Sequence, residues 1–393
     1  MSAAENKLWA ILRSGSVFVG ANMVAGLLHY YFQILASQRL SAAEFSGLNA
    51  WFANLAIFFL VGGILQYAAN FFPAPRHRLR IAIVAINAFC LSVTALWLLG
   101  PDGQTLTRAL MVLAGASLFG WLMGQVQIRM MFSTLTVANL LVALTKLSLI
   151  FSSLSGDSEL ERFSFALFAC YLPALWYASI MVWQRRDEFD KQVRRRFSWE
   201  MWSAPIVLSI ASSVIPQMDL VLMSRLQSAE VFQEFARVSL FYKGIYFFIF
   251  IFAQWLLPFQ IRDGESGLFR ASFVLVLATL AGSTGLTLAA PWIVSWVLHW
   301  EATPSLMMIF AACINMSLLT WVFLLIQENC AQERPRIAGV ALSILAGEAA
   351  LQLLLQLDAL PYLALAIAVQ SAIVFYLTGS AALKARLAVN ISR

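Results

Sequence analysis

Charge is scarce in this chain. Of 393 residues only 12% are charged while 61% are hydrophobic, against about 25% and roughly 45–50% in soluble globular proteins. A soluble enzyme is excluded. Long polar segments are also missing. The longest stretch between apolar runs is the twenty residues from Gln184 to Ser203, too short for an ATPase or any other aqueous catalytic domain. The phosphate-binding pattern G-x-x-x-x-G-K-S/T does not occur, so direct ATP drive would need a partner protein. No acidic or histidine cluster sits at the end of an apolar run on a loop long enough to build an active site, which argues against a membrane glycosyltransferase or hydrolase. No Gly-rich filter loop points to a channel. The four cysteines (Cys90, Cys170, Cys313, Cys330) and three histidines (His29, His77, His299) are scattered without paired spacing. Neither a disulfide, a metal site nor a cofactor is expected.

What the chain does have is twelve apolar runs, each able to cross a hydrocarbon core of roughly 30 Å as a helix. They are Gly15 to Ala36, Leu48 to Phe72, Ile81 to Gly100, Ala109 to Ile128, Phe132 to Leu154, Phe163 to Trp183, Ala204 to Met223, Phe235 to Phe259, Ala271 to Leu298, Ser305 to Gln327, Ile337 to Leu357 and Tyr362 to Leu383. The first is longer than the 7 to 15 apolar residues of a signal core and reads as a retained span. The fold class is therefore an all-α polytopic membrane protein. With twelve spans both termini share a side. Nineteen of the 26 Lys and Arg residues fall in segments on that side, including Arg76, Arg78, Arg80 and the cluster Arg194 to Arg196, while only Arg39, Arg108, Arg162 and Arg225 fall opposite. Positive residues stay cytoplasmic, so both ends are expected inside. Topology thus accounts for the net charge of +6, and nucleic acid is a poor partner.

One block repeats. Arg39-Leu40-Ser41-Ala42-Ala43-Glu44-Phe45 follows the first span and Arg225-Leu226-Gln227-Ser228-Ala229-Glu230-Val231 follows the seventh, with four of seven residues identical at an offset of 186. Two readings stand. Either the chain is a duplication of a six-span unit, or this is a good interfacial turn and helix start with Ser41 or Ser228 as cap. Duplication divides the chain into a bundle over 1–183, a basic cytoplasmic linker over 184–203 and a second bundle over 204–393. An even number of spans per half relates the halves by an axis along the membrane normal, with a cleft between them.

An ionisable side chain within a span costs at least about 2.5–3.5 kcal/mol to insert, so it faces a bundle interior or a wet cavity. Asp219 in span seven and Lys243 in span eight sit seven or eight residues from the turn between those spans, a depth of about 10–12 Å at 1.5 Å per residue. Two alternatives remain open: a neutralising pair that holds the hairpin together, or Asp219 for a proton or sodium ion with Lys243 for an anionic group. Pro216 removes a helical donor three residues before Asp219 and frees the carbonyl near Ser212, as an ion site in a discontinuous helix requires. Lys146 in span five and Glu348 in span eleven occupy corresponding places in the two halves, either paired or separate. Gln33 lies 186 residues before Asp219 and replaces the acid in the first half. Arg237 is a further base at depth. Gln66, Asn70, Gln125, Gln127, Asn139, Gln254, Asn315 and Gln327 serve as glue between helices or as sugar-binding groups. The thirty Phe and thirteen Trp supply lipid-facing bulk and interfacial belts.

The segment Arg39-Leu40-Ser41-Ala42-Ala43-Glu44-Phe45-Ser46-Gly47-Leu48 is similar to the turn after the first span of bacterial O-antigen and exopolysaccharide flippases. Met218-Asp219-Leu220-Val221-Leu222-Met223-Ser224-Arg225-Leu226, followed by Ser228-Ala229-Glu230, resembles the seventh-helix signature of those proteins, members of the multidrug, oligosaccharidyl-lipid and polysaccharide exporter superfamily. The resemblance implies two six-helix bundles in a V, with spans one, two, seven and eight lining a central cationic cavity. Its implied ligand is the pyrophosphate of a polyprenyl-linked oligosaccharide in the bacterial cytoplasmic membrane. Membrane lipids and a glycosyltransferase or polysaccharide polymerase are the implied partners. The residues matched are Asp219, Arg39 and Arg225; Lys243, Arg237 and Lys146 join them as bases from depth, and Glu348 and Gln33 join Asp219 as ion-coupling candidates. The rival expectations are a cation-coupled multidrug exporter of the same superfamily and a non-transporting subunit of a synthase complex. Three bases against two acids within the spans tilt the choice towards an anionic ligand.

Overall fold

A peptide group inside a bilayer finds no water, so a spanning segment must satisfy its own hydrogen bonds as a helix. The computed structural model follows that rule over the residues it describes, 3–71, 105–152, 158–184, 199–263, 268–332 and 334–391, among which there is no strand. Thirteen α-helices run in order: α1 (Ala3–Arg39), α2 (Ala42–Phe71), α3 (Thr105–Ile128), α4 (Phe132–Ile150), α5 (Glu159–Ala169), α6 (Tyr171–Gln184), α7 (Trp199–Ser209), α8 (Ile215–Leu226), α9 (Ala229–Asp263), α10 (Leu268–Ile293), α11 (Leu306–Ala331), α12 (Pro335–Leu355) and α13 (Ala359–Ile391). Eleven of the twelve expected spans fall on these helices. The span Ile81 to Gly100, with Cys90 and His77, lies outside the described residues, as does most of the linker 184–203. Eight described segments are long and apolar enough to cross a membrane.

Two expected spans are broken. The sixth divides at Cys170 into α5 and α6; Pro173 has no N–H for the carbonyl four residues back, and Cys170 Sγ turns to Leu167 O at 3.6 Å. The seventh widens into a π-helical turn over Ile210–Val214 between α7 and α8, just before Pro216. The repeated blocks both cap helices, but differently. Ser41 Oγ accepts from Glu44 N at 3.3 Å while Glu44 Oε2 accepts from Ser41 N at 2.9 Å, a reciprocal box that starts α2. At the second block Ser228 Oγ accepts from Val231 N at 3.5 Å, and the acid stands one place too early to return the bond.

Helix packing repeats from one set of spans to the other. Within the first, α2 packs on α3, α1 on α4, and α4 and α3 on α6; within the second, α9 packs on α11, α12 on α7 and α8, and α12 and α11 on α13. Between the sets α1 packs on α9, and α2 packs on α7, α8 and α9. Spans one and two therefore meet eight and seven. Close approach of α2 and α3 depends on glycine. A Cβ on Gly120 or Gly124, one turn apart, would run into the α2 backbone at Gly62 and Gln66. In the second set α11 is the central helix, buried over most of its length, while Leu288 and Trp292 of α10, Trp296 of the π-helical turn Val294–Leu298 that follows it, and Phe375 of α13 present apolar surface outward.

Candidate transport site

Lys243 of α9 lies in the interface between the two sets of helices, only 6% exposed. Its Nζ donates to Asn49 Oδ1 of α2 at 3.2 Å, and Asn49 Nδ2 donates to Phe45 O at 3.0 Å. Asn49 is 2% exposed, and its amide is oriented by these two bonds. The ammonium thus meets a neutral oxygen across the interface.

Asp219 does not share that site. On α8 it accepts from Tyr362 Oη of α13 at 2.8 Å and from Asn315 Nδ2 of α11 at 3.1 Å, so both carboxyl oxygens are held within the second set of helices. The neutralising Asp219–Lys243 pair is corrected by these contacts: the two side chains leave their adjacent helices toward different neighbours. Glu348 of α12 is close enough to Asp219 and Tyr362 to interact electrostatically. Its Oε1 accepts from Gln352 Nε2 at 3.0 Å. Glu348 Oε2, Asn315 Oδ1 and Tyr242 Oη are buried without a hydrogen-bond partner among the described residues. Buried polar atoms are almost always satisfied, so this oxygen-rich cluster has capacity for a proton or a small cation.

The carbonyl released by Pro216 is taken by the protein. Tyr246 of α9 donates its hydroxyl hydrogen to Ser212 O, and Tyr67 of α2 stands close to Ser212. The break in the seventh span therefore fastens α9 to it.

Lys146 of α4 does not approach Glu348. It is 8% exposed, and its Nζ lies 3.1 Å from His29 Nδ1 of α1 and 5.2 Å from the centre of the Phe32 ring. With the lysine donating, that imidazole nitrogen is the acceptor. The three remaining bases stay near the turns. Arg39 reaches Glu159 at 3.7 Å and stacks over Phe151 at 4.7 Å, joining α1 to the ends of α4 and α5. Arg237 stacks over Trp300 at 5.3 Å and Arg225 is exposed. None of these three is buried; Gln33 on α1 is half-buried. Sequence reading passed over His29, Asn49, Tyr242 and Tyr362, because each is defined only by a residue more than 100 positions away, except Tyr242, whose neighbour Asp219 lies on the preceding helix.

Neutral amides join the two sets of helices at another level. Gln127 of α3 accepts from Gln66 Nε2 at 3.3 Å and Asn70 Nδ2 at 3.1 Å, both on α2, and donates to Gln254 O of α9. Gln327 of α11 donates to the adjacent carbonyl of Ala253 at 2.9 Å.

Helices arranged in this way form a multi-pass all-helical fold. Solved structures that share it include the lipid II flippase MurJ in its inward closed conformation, 14% identical, covering 93% of this chain and 87% of that chain with a TM-score of 0.59. A eukaryotic MATE transporter is 12% identical, covering 95% of this chain and 96% of that chain with a TM-score of 0.55. No family model and no curated protein matches the sequence. At these identities the likeness is one of fold alone.

Proposed function

We propose that this chain moves a polyprenyl-pyrophosphate-linked oligosaccharide from the inner to the outer leaflet of the bacterial cytoplasmic membrane. Movement is by alternating access between the halves 1–183 and 204–393, joined by the basic linker 184–203, with both termini cytoplasmic. Lys243 carries this reading. It is a buried base at the junction of the halves whose partner there is a neutral amide, and a buried charge without a counter-charge favours an incoming anion. A pyrophosphate is such an anion. It cannot cross hydrocarbon unaided, while its polyprenyl tail can remain in lipid. The MurJ neighbour is named for a lipid-linked substrate. Asp219, Glu348, Asn315 and Tyr362 then hold the coupling ion inside the second half, away from the substrate path. Glycosyltransferases or a polymerase are the natural suppliers and consumers of such a substrate.

The test is flipping of a fluorescent undecaprenyl-pyrophosphate-linked saccharide in vesicles. Lys243→Met should lower the rate by about tenfold or more, the factor given by roughly 1.4 kcal/mol, and Lys243→Arg should retain most of it. Parent-like flipping by Lys243→Met discards the reading. The buried carboxyl cluster favours a second reading, a cation-coupled multidrug exporter. Efflux of a cationic dye that depends on Asp219, with no lipid flipping, would select it.

A further inference from the structure

Proline removes a hydrogen bond at a predictable address. A helical proline has no N–H for the carbonyl four residues before it, and that carbonyl must find another donor or remain unsatisfied in a bilayer. Pro258 lies within α9, and the carbonyl it leaves without its helical donor is that of Gln254. The donor that reaches Gln254 O is Gln127 Nε2 of α3, from the opposite half of the molecule.

Gln127 is well prepared for this bond. It is 1% exposed, and its Oε1 is occupied by Gln66 Nε2 and Asn70 Nδ2, which fixes the amide with its N–H groups toward α9. On the other side Gln327 holds the neighbouring carbonyl, Ala253 O. Gln127 and Gln327 end spans four and ten, corresponding spans of the two halves, so two matching glutamines grip consecutive carbonyls of one helix. By the expected topology these ends of spans two, four, eight and ten face the cytoplasm. Charge plays no part, and a neutral amide-to-carbonyl bond can be broken and remade in each cycle without exposing a buried ion.

We propose that Gln127 and the carbonyl of Gln254 released by Pro258 form a latch that closes the cytoplasmic end of the interface between the halves. Breaking this bond lets α9 move away from α2 and α3 and opens the inner side. The latch rests on the alternating-access reading only in being called a gate; whether it holds the halves together can be measured with no substrate present.

Ile251 of α9 packs against the cluster around Leu122, Met123 and Val126 of the first half, so a thiol there reports separation. In a background with the four native cysteines replaced by alanine, Ile251→Cys would be labelled with a water-soluble maleimide in detergent. Gln127→Leu removes the donor. Pro258→Ala supplies an N–H within α9 that competes for the same carbonyl, and it strengthens the helix rather than weakening the fold. Each should raise the labelling rate about three- to tenfold, the range expected for one hydrogen bond, and the double variant should label no faster than the faster single one, because both remove one and the same bond. Parent-like labelling in both single variants, a rise in only one of them, or multiplied rates in the double variant would overturn the proposal. Failure of the substrate reading looks different: labelling responds as expected while no lipid-linked saccharide is flipped.

Discussion

Tyr362 donates its hydroxyl hydrogen to Asp219 Oδ1 at 2.8 Å while Asn315 donates to the other carboxyl oxygen at 3.1 Å, so one acid on α8 fixes α11 and α13 around it. The three residues are all buried. An acid held in this way is a structural joint of α8, α11 and α13 as well as an ion-coupling candidate.

Tyr362→Phe should therefore destabilise the protein even without substrate. The substitution keeps the ring and leaves a buried carboxyl oxygen without its donor, which costs about 1–3 kcal/mol. Asp219→Leu abolishes both bonds, and adding Tyr362→Phe to it should cost much less than Tyr362→Phe costs alone. Thermal unfolding of the four proteins in one detergent measures the cycle. Additive losses would mean that the tyrosine and the acid do not act together.

The repeated turn allows a prediction about pH. The Ser41 hydroxyl and then the Ser41 backbone N–H donate to Glu44 and hold its carboxyl below the usual range. Because the folded value is depressed, the ionised cap stabilises the protein above the ordinary glutamate value of about 4.3 and is lost as pH falls through the lower folded value. Glu44→Gln should accordingly melt below the parent near neutral pH and converge with it in acid. Ser41→Ala should remove most of that difference at every pH. A gap between parent and Glu44→Gln that widens on acidification would contradict the arrangement.

The sequence made the helices legible because a bilayer leaves the backbone no alternative, and the apolar runs have to match its thickness. It also made legible the carbonyl near Ser212, since a proline marks the group it deprives. The identity of the group that fills each gap was hidden. Nothing near Pro216 points to Tyr246, nothing near Asp219 points to Tyr362, and Asn49 stands inside α2, beyond a motif that concerns only capping. Depth along a helix follows from residue counting alone, but the direction in which each side chain leaves the helix follows from rotation and crossing angle. Those are set by contacts such as Gly120 and Gly124 against α2, which a run of apolar residues does not encode in any local pattern. His29 looked isolated for the same reason: its partner, Lys146, lies 117 residues away.

The break in the seventh span yields a rescue experiment. Tyr246 donates to Ser212 O, the carbonyl that Pro216 deprives of its helical donor. Tyr246→Phe leaves this buried carbonyl with fewer donors, and the loss should lower stability by about 1–3 kcal/mol. Pro216→Ala restores an N–H four residues beyond Ser212 and lets the π-helical turn relax toward a regular helix. On the parent background Pro216→Ala competes with the tyrosine and should change stability little. On the Tyr246→Phe background it should recover most of the loss, since the new amide fills the acceptor that the tyrosine vacated. Thermal unfolding gives the stabilities, and the same vesicle assay gives a second readout. If the discontinuity serves transport, the rescued double variant will be stable yet slow, because an unbroken helix joins α7 to α8 as one rigid rod. If Pro216→Ala fails to rescue Tyr246→Phe, the hydroxyl is not substituting for the missing helical donor, and the link between the proline and the tyrosine is wrong.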